Sequence, residues 1–183
     1  MDVDFYVKAI AGRVAELRAS AWLPAFLTQL DSVLDGTPVH RIRCLALGSF
    51  TDFLNPRFQL ALLLIMAEHL GSPTISAWDP VFTADDKAVL AHYKIEVTET
   101  DFGEPALWYV PHGPFSLVVD LPLKIGNDVY IGNDLSAFDL DNREKQDRVE
   151  AYKQHARILR VQTSRQDRWF AAFSSTAIHR TET

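Results

Sequence analysis

Four residues that could contact a ligand stand directly after apolar segments of strand length. They are Gly48, Asp79, His112 and Asn133. The carboxyl ends of parallel strands share one edge of a sheet, so these residues are expected to meet in a single crevice. This convergence is the main argument in the sequence for a binding function, and it depends wholly on the strand assignment.

The turn at Gly48, Ser49 and Phe50 could bring backbone N–H groups close to an anion, because the following helix would point its positive end there. The signal is weak, since one glycine does not make a GxGxxG motif. Arg57 falls in the first turn of that helix, where a cation opposes the helix dipole. We therefore predict that Arg57 meets an anion, either a ligand phosphate or a carboxylate of the protein. An exposed or internally paired arginine is the other interpretation.

Asp79 stands where dinucleotide- and adenosylmethionine-type folds place the acid that accepts hydrogen bonds from ribose hydroxyls. The 31 positions from Gly48 to Asp79 exceed the ~20 of the dinucleotide fingerprint. A longer loop and helix could absorb the difference. Asp79-Pro80 is also a common way to end a strand in a turn, so both interpretations stay open.

His112 could act as a general acid or base, donate to an anion or bind a metal. The sequence offers it no partner between Pro111 and Gly113, so a structural turn histidine is the alternative. Together with Asp79 and His179 it could form a metal site, but no HxxxH or similar spacing supports one and we predict no metal. The chain contains neither a GxSxG elbow nor a Walker sequence.

These residues are positioned by segments that alternate between strand and helix patterns. Asn55-Pro56 is a helix start with Asn55 as the N-cap, and Thr83 caps a helix with Asp85 and Asp86 in its first turn. The alternation predicts an α/β fold, a Rossmann-like three-layer sandwich with a mainly parallel sheet and extra N-terminal helices. The predicted strands are 42–47, 74–78, 95–97, 106–110, 129–131, 158–161 and a closing 177–179; the predicted helices are 3–19, 22–34, 56–70, 83–93, 114–123 and 139–153.

The length of 183 residues predicts a single domain over 1–183, with a helical extension at 1–38 and the Rossmann-like core at 39–180. The apolar stripes of the extension are expected to pack on the core, or alternatively to bind a protein partner. A net charge of −6 argues against general binding of nucleic acid or anionic membranes.

No apolar segment approaches the ~18 residues of a membrane span, and the N-terminus has acids where a secretory signal has bases. The single cysteine, Cys44, excludes an internal disulfide and is expected to be a small buried core residue. These features predict a cytoplasmic or nuclear protein.

Six short segments, LALGSF, RFQLALLL, WDPVF, EPALWYVPHG, VYIGND and FSSTAIH, occur in this order over roughly Arg43 to His179. In that order they resemble the sensitivity-to-red-light-reduced (SRR) family. The family more often reads FNDT near its end, where this chain has Ser174-Ser175, so a role that needs that carboxylate is not carried over. The motif residues carried over are Gly48, Ser49, Phe50, Arg57, Gln59, Asp79, Pro80, Pro111, His112, Gly132, Asn133, Ser175, Thr176 and His179.

The resemblance implies an intracellular protein with a Rossmann-like core. Members are linked to the circadian clock and light signalling in plants, to growth and stress responses in fungi, and to haem metabolism in animals. No reaction is implied.

Three functions follow as hypotheses. The first is a regulatory protein whose pocket binds a nucleotide-like or other anionic ligand. Gly48–Phe50 and Arg57 would hold the anion, Asp79 would hold a ribose-type diol, and His112 with Gly132-Asn133 would close the pocket. The second is a methyltransferase-like enzyme that binds S-adenosylmethionine in the same pocket.

The third hypothesis is an interaction scaffold without a ligand, which binds a protein partner through the N-terminal helices or through exposed aromatic residues such as Trp169. Haem could reach His112 or His179, but no axial-ligand motif supports it.

Overall fold

The computed structural model describes residues 2–99, 107–114, 116–126, 128–137 and 141–181. Its helices and strands alternate along the core, as predicted. The helices are α1 Val3–Arg18, α2 Trp22–Leu34, α3 Leu54–His69, α4 Ala84–His92, α5 Arg143–His155 and α6 Phe170–Phe173. The strands are β1 Arg41–Leu45, β2 Thr74–Trp78, β3 Glu96–Val97, β4 Leu107–Val110, β5 Val129–Asn133, β6 Ala156–Arg160 and β7 Thr176–Thr181. A π-helical turn, Ser116–Asp120, and a 3₁₀ turn, Leu135–Ala137, complete the described elements.

The seven strands form one sheet in the order β3-β2-β1-β4-β5-β7-β6. Strands β3, β2, β1, β4 and β5 run parallel, while β7 is antiparallel to both of its neighbours. Without β7 the order is that of a doubly wound sheet, 3-2-1-4-5-6. The predicted Rossmann-like sandwich with a mainly parallel sheet is therefore confirmed.

The main core lies on one face of the sheet, under α1, α2, α3, α4 and α6. Alternate strand residues such as Ile42 and Cys44 point into it and are fully buried. Helix α3 is apolar on almost every side and is buried along most of its length. The stripes of α1 and α2 also pack here, with Leu17 and Phe26 at 1% exposure or less. The apolar faces of these two helices are thus occupied by the core.

The opposite face is covered unevenly. Helix α5 and the π-helical turn share a small core that includes Val118, Val149 and Tyr152. Trp108 and Tyr130 pack beside them against partly buried leucines and an isoleucine. This second layer lies toward β5, β7 and β6, and a cavity lies beside it.

Three predicted helices differ from those of the structure. The helix predicted at 139–153 is α5, which begins at Arg143 and ends at His155, and the first two predicted positions lie outside the described residues. Helix α3 starts two residues earlier than predicted, because Phe53 holds the extended N-cap conformation, and Asn55 is not the cap. The helix predicted at 114–123 is only the five-residue π-helical turn followed by further turns. Pro122 has no N–H to continue the hydrogen-bond series there. Among the described residues, no helix is long and apolar enough to cross a membrane.

Candidate functional site

A cavity of about 940 Å³ opens at the carboxyl ends of β1, β2 and β4. Three of the four predicted strand-end residues, Gly48, Asp79 and His112, line it. The volume lies near the upper end of the roughly 300–1,000 Å³ of small-molecule sites. The structure therefore brings together the glycine turn, the carboxylate and the imidazole at one edge of the sheet.

Asp79 ties the end of β2 to the turn after β1. Its Oδ2 accepts the Gly48 N–H at 2.8 Å, and its Oδ1 accepts the Val81 N–H at 3.0 Å. The residue is 8% exposed, and each carboxylate oxygen retains a second lone pair. Asp79 is thus a structural bridge that can still accept a hydroxyl from the cavity, so both interpretations from the sequence are compatible with its position.

The turn after β1 has a strained backbone. Ala46 adopts a left-handed conformation with φ of 53°, and Gly48 one with φ of 77°. A non-glycine residue pays about 1–2 kcal/mol for this conformation. Such strain concentrates at functional sites, where the surrounding structure enforces it. Both residues line the cavity.

Arg57 does not reach the cavity. Its guanidinium donates to the Phe50 and Thr51 carbonyls at 2.7 and 2.8 Å and lies 5.6 Å from the centre of the Tyr6 ring. Ser49 and Phe50 are buried away from the lining. Ser49, Phe50 and Arg57 are therefore not placed to bind an anion in the cavity as predicted, because the arginine is hydrogen-bonded to carbonyl groups of its own loop.

The buried carboxylate of Asp86 also holds the loop after β1 by a hydrogen bond. Asp86 Oδ1 accepts the Thr51 N–H at 3.0 Å, and Oδ2 accepts the Thr83 N–H and hydroxyl, both at 2.9 Å. The predicted Thr83 cap is thus a full capping box. The sequence identified the helix start, but it gave no signal that Asp86 also holds Thr51, 35 positions away.

His112 lines the cavity and is exposed to solvent. Partial burial lowers the pKa of its imidazole, and a hydrogen bond to the Ala171 backbone opposes this shift. The adjacent Gln59 also lines the cavity and donates to the Ala172 carbonyl at 3.2 Å. His112 is thus a mainly neutral imidazole near pH 7, since a lowered pKa favours the uncharged form.

Gly132 and Asn133 do not line the cavity. The Tyr130 ring covers Gly132 so closely that an added Cβ would lie 2.4 Å from it. Asn133 pairs with Thr176 across β5 and β7. The prediction that these two residues help to close the pocket is not supported by their placement, because the antiparallel β7 occupies that edge of β5.

The other family-motif residues have separate places. Pro80 lines the cavity, and Pro111 is buried behind it. Ser175 accepts the Asp134 N–H through its carbonyl at 2.7 Å, and Thr176 is buried in β7. His179 is fully buried, away from the cavity.

His179 packs between two tyrosines. Its ring centre lies 5.3 Å from that of Tyr130 and 6.0 Å from that of Tyr152. Burial lowers the pKa of His179 to about 4, although Asp134 and the Asn133 backbone oppose the shift. The described residues contain no cluster of three His, Cys, Asp or Glu side chains suited to a metal ion.

The remaining cavity wall is mainly apolar, which sequence reasoning did not anticipate. Trp78 and Trp108 line it with a group of leucines, and Phe53 stands exposed at its rim. Arg43 lines it as well and donates to the Thr98 carbonyl at 2.8 Å. Strand alternation could have indicated this wall, since Arg43, Trp78 and Trp108 fall on the sheet face opposite the main core.

A family model described as the SRR1 domain matches residues 26–180. The chain belongs to the SRR1 family. The resemblance found in the sequence motifs is thereby confirmed, and the match extends the SRR1 region into α2. A comparison with curated proteins gives no match for this SRR1 chain.

Among solved structures, cofactor-bound Rv0187 from MTB is similar to the SRR1 chain with a TM-score of 0.53 and 13% identity, over 97% of this chain and 90% of that one. The plantazolicin methyltransferase BpumL, in complex with a triazolic desmethylPZN analog and SAH, is similar with a TM-score of 0.46 and 11% identity, over 96% of this chain and 91% of that one. A SAM-dependent O-methyltransferase (TM0748) from Thermotoga maritima is similar with a TM-score of 0.46 and 12% identity, over 87% of this chain and 65% of that one. At these identities the likeness concerns the fold alone.

Proposed function

We propose that this SRR1 protein binds an adenosyl-type small molecule, such as S-adenosylmethionine, in the cavity, and that binding serves a regulatory role. The clock, stress or haem-related settings of the family are the expected context. The observation that carries the proposal is Asp79, a carboxylate at the end of β2 that lines a ligand-sized cavity. An acid in this position accepts the ribose hydroxyls in nucleotide-binding α/β folds.

The charges of the cavity favour a nucleoside over a phosphate-rich ligand. Its described ionisable lining consists of one arginine, Arg43, two carboxylates, Asp79 and Glu99, and the imidazole of His112. Arg57, the cation predicted to hold a phosphate, is bound to carbonyl groups of the loop. A sulfonium or an uncharged nucleoside avoids the repulsion that a diphosphate would meet beside two carboxylates. The fold likeness to Rv0187, described as cofactor-bound, is consistent with a cofactor cavity.

A thermal-shift panel tests this proposal. S-adenosylhomocysteine and adenosine are expected to raise Tm, whereas ATP, NAD and inorganic pyrophosphate are not. At 100 times the dissociation constant a ligand stabilises by about 2.7 kcal/mol, which corresponds to a Tm increase of roughly 5–10 °C for a domain of this size. A flat panel, or stabilisation by the phosphate compounds alone, would contradict the proposal.

The second candidate is a methyltransferase-like enzyme. It is favoured by the position of His112 in the same cavity as Asp79, with the lowered pKa of a neutral base. The His112 imidazole would take a proton from the acceptor as the methyl group leaves the sulfonium. His112→Asn is then expected to reduce the release of S-adenosylhomocysteine by a factor of about 10²–10⁴. The affinity for S-adenosylhomocysteine should stay within twofold.

A pure binding protein has no turnover, so neither the wild type nor His112→Asn would produce S-adenosylhomocysteine. Protein partners at the N-terminal helices and a cytoplasmic or nuclear location remain predictions. The expectation that Trp169 is an exposed aromatic was wrong, because Trp169 is buried in the main core. The apolar stripes of those helices are used by the core, so a partner would have to bind their outer faces, where Phe5 is exposed.

A further inference from the structure

We infer that the cavity contains a second subsite, on the sheet face opposite the main core, that takes a planar, uncharged and mainly apolar molecule. The inference rests on the proposed function in one respect: the adenosyl ligand would occupy the polar end of the cavity and leave this subsite vacant for a second ligand. The two ends differ in chemistry. Gly48, Asp79 and His112 form the polar end, and Leu45, Trp78, Trp108, Leu117 and Leu121 line the apolar part.

Strand register fixes the floor of the apolar subsite. Leu45 in β1 is paired with Trp78 in β2, and Arg43, two residues earlier in β1, is paired with Trp108 in β4. These four positions share the sheet face opposite the main core. The two tryptophans therefore stand on either side of β1, and their strands are about 10 Å apart because neighbouring strands are separated by about 4.8 Å.

This spacing suits an aromatic ring. With the two-residue stagger, the two tryptophan positions lie roughly 12 Å apart. A flat molecule centred between Arg43 and Leu45 would then be about 6 Å from each tryptophan position, within the roughly 4.5–7 Å range of aromatic pairs. Arg43, 3% exposed and beneath the same space, adds a guanidinium that attracts a π face.

The rim supplies an independent observation. The four exposed large hydrophobic residues among those described are Phe5, Phe53, Leu54 and Val81, with 46–64% exposure. Three of them, Phe53, Leu54 and Val81, line this one cavity. Apolar surface left in water is unfavourable by about 25 cal/mol per Å². An apolar ligand that covers the rim would recover that free energy.

The volume is also consistent with two ligands. About 940 Å³ is close to the upper limit of ~1,000 Å³ for sites that hold one drug-sized molecule. Asp79 follows β2 directly and His112 lies two residues after β4, so both lie beyond the strand ends. A nucleoside placed there would leave the wall between the two tryptophans uncovered.

Calorimetric titration of the full chain with naphthol, indole and quinoline tests the inference. Trp78→Leu is expected to weaken the binding of these planar probes about tenfold, because an aromatic contact and its buried area are lost. Phe53→Ser, which changes an exposed rim residue without threatening the core, should weaken it about threefold. Phe5→Ser is the matched control, since Phe5 is similarly exposed on α1 but does not line the cavity; it should have no effect.

S-adenosylhomocysteine is titrated in parallel, and saturation with it should leave the probe affinities within twofold. Absence of binding by all three probes, binding insensitive to both Trp78→Leu and Phe53→Ser, or competition by S-adenosylhomocysteine would overturn the inference. Probe binding with the expected variant pattern but no binding of S-adenosylhomocysteine would support the apolar subsite and contradict the proposed function alone.

Discussion

Asp86→Ala is expected to lower the free energy of unfolding by about 3 kcal/mol, because it removes three hydrogen bonds to a buried carboxylate. The residue is 0% exposed, and its oxygens hold the Thr51 N–H and both the N–H and the hydroxyl of Thr83. The loss combines a helix cap, worth about 1 kcal/mol, with a long-range contact to the loop after β1. Urea denaturation measures the change.

Asp85→Ala is the matched control. Asp85 also lies in the first turn of α4, where its charge favours the helix dipole by about 0.3–1 kcal/mol. A loss of less than 1 kcal/mol for Asp86→Ala would show that the carboxylate does not hold the loop. The loss of stability for Asp86→Asn should lie between those for Asp85→Ala and Asp86→Ala, since the carboxamide keeps one acceptor oxygen.

Stability is expected to decrease by about 2 kcal/mol between pH 7 and pH 5 through His179 alone. Burial lowers the pKa of this imidazole to about 4, whereas the unfolded chain binds the proton near the ordinary value of about 6.5. Above pH 6.5 both states are neutral and His179 makes no contribution. As the pH falls below 6.5 the unfolded state takes up the proton first, so stability falls progressively until the folded pKa is reached.

His179→Phe isolates this effect. Phenylalanine keeps a ring between Tyr130 and Tyr152 but cannot bind a proton, so the variant should lose less stability than the wild type over the same pH interval. Urea denaturation at pH 7, 6 and 5 gives the difference in unfolding free energy between the wild type and His179→Phe. The contributions of the carboxylates are the same in both proteins and cancel in this difference. The exposed His92→Phe serves as the control substitution. Parallel pH profiles for the wild type and His179→Phe would rule out a buried neutral imidazole.

The sequence was sufficient for the fold and for part of the site. Hydrophobic patterning and the helix-start signal at Thr83 delimit the strands and helices within a few residues, so Gly48, Asp79 and His112 could be assigned to one sheet edge. Local pattern carries this information because strand ends follow directly from the alternation of elements.

The rest depended on contacts between distant positions. Arg57 could be recognised as a cation against the helix dipole, but its acceptors are carbonyl oxygens whose positions depend on how the loop folds back. Asn133 was excluded from the cavity by β7, whose antiparallel insertion is a feature of topology. The apolar wall required the faces of β1, β2 and β4 to be known together. Alternation assigns each residue to a face of its strand, but only the strand order places Trp78 and Trp108 on either side of β1.

The central claim is that Asp79 binds the diol of an adenosyl ligand. Calorimetric titration of S-adenosylhomocysteine into the wild type and Asp79→Asn tests it most directly, with the exposed Asp52→Asn, which removes the same charge outside the cavity, as the control. Loss of charge-assisted hydrogen bonds worth about 1.5–3 kcal/mol predicts a roughly 10- to 100-fold weaker affinity for Asp79→Asn and no change for Asp52→Asn. Equal affinities for the wild type and a folded Asp79→Asn, or no binding to the wild type, would contradict the account.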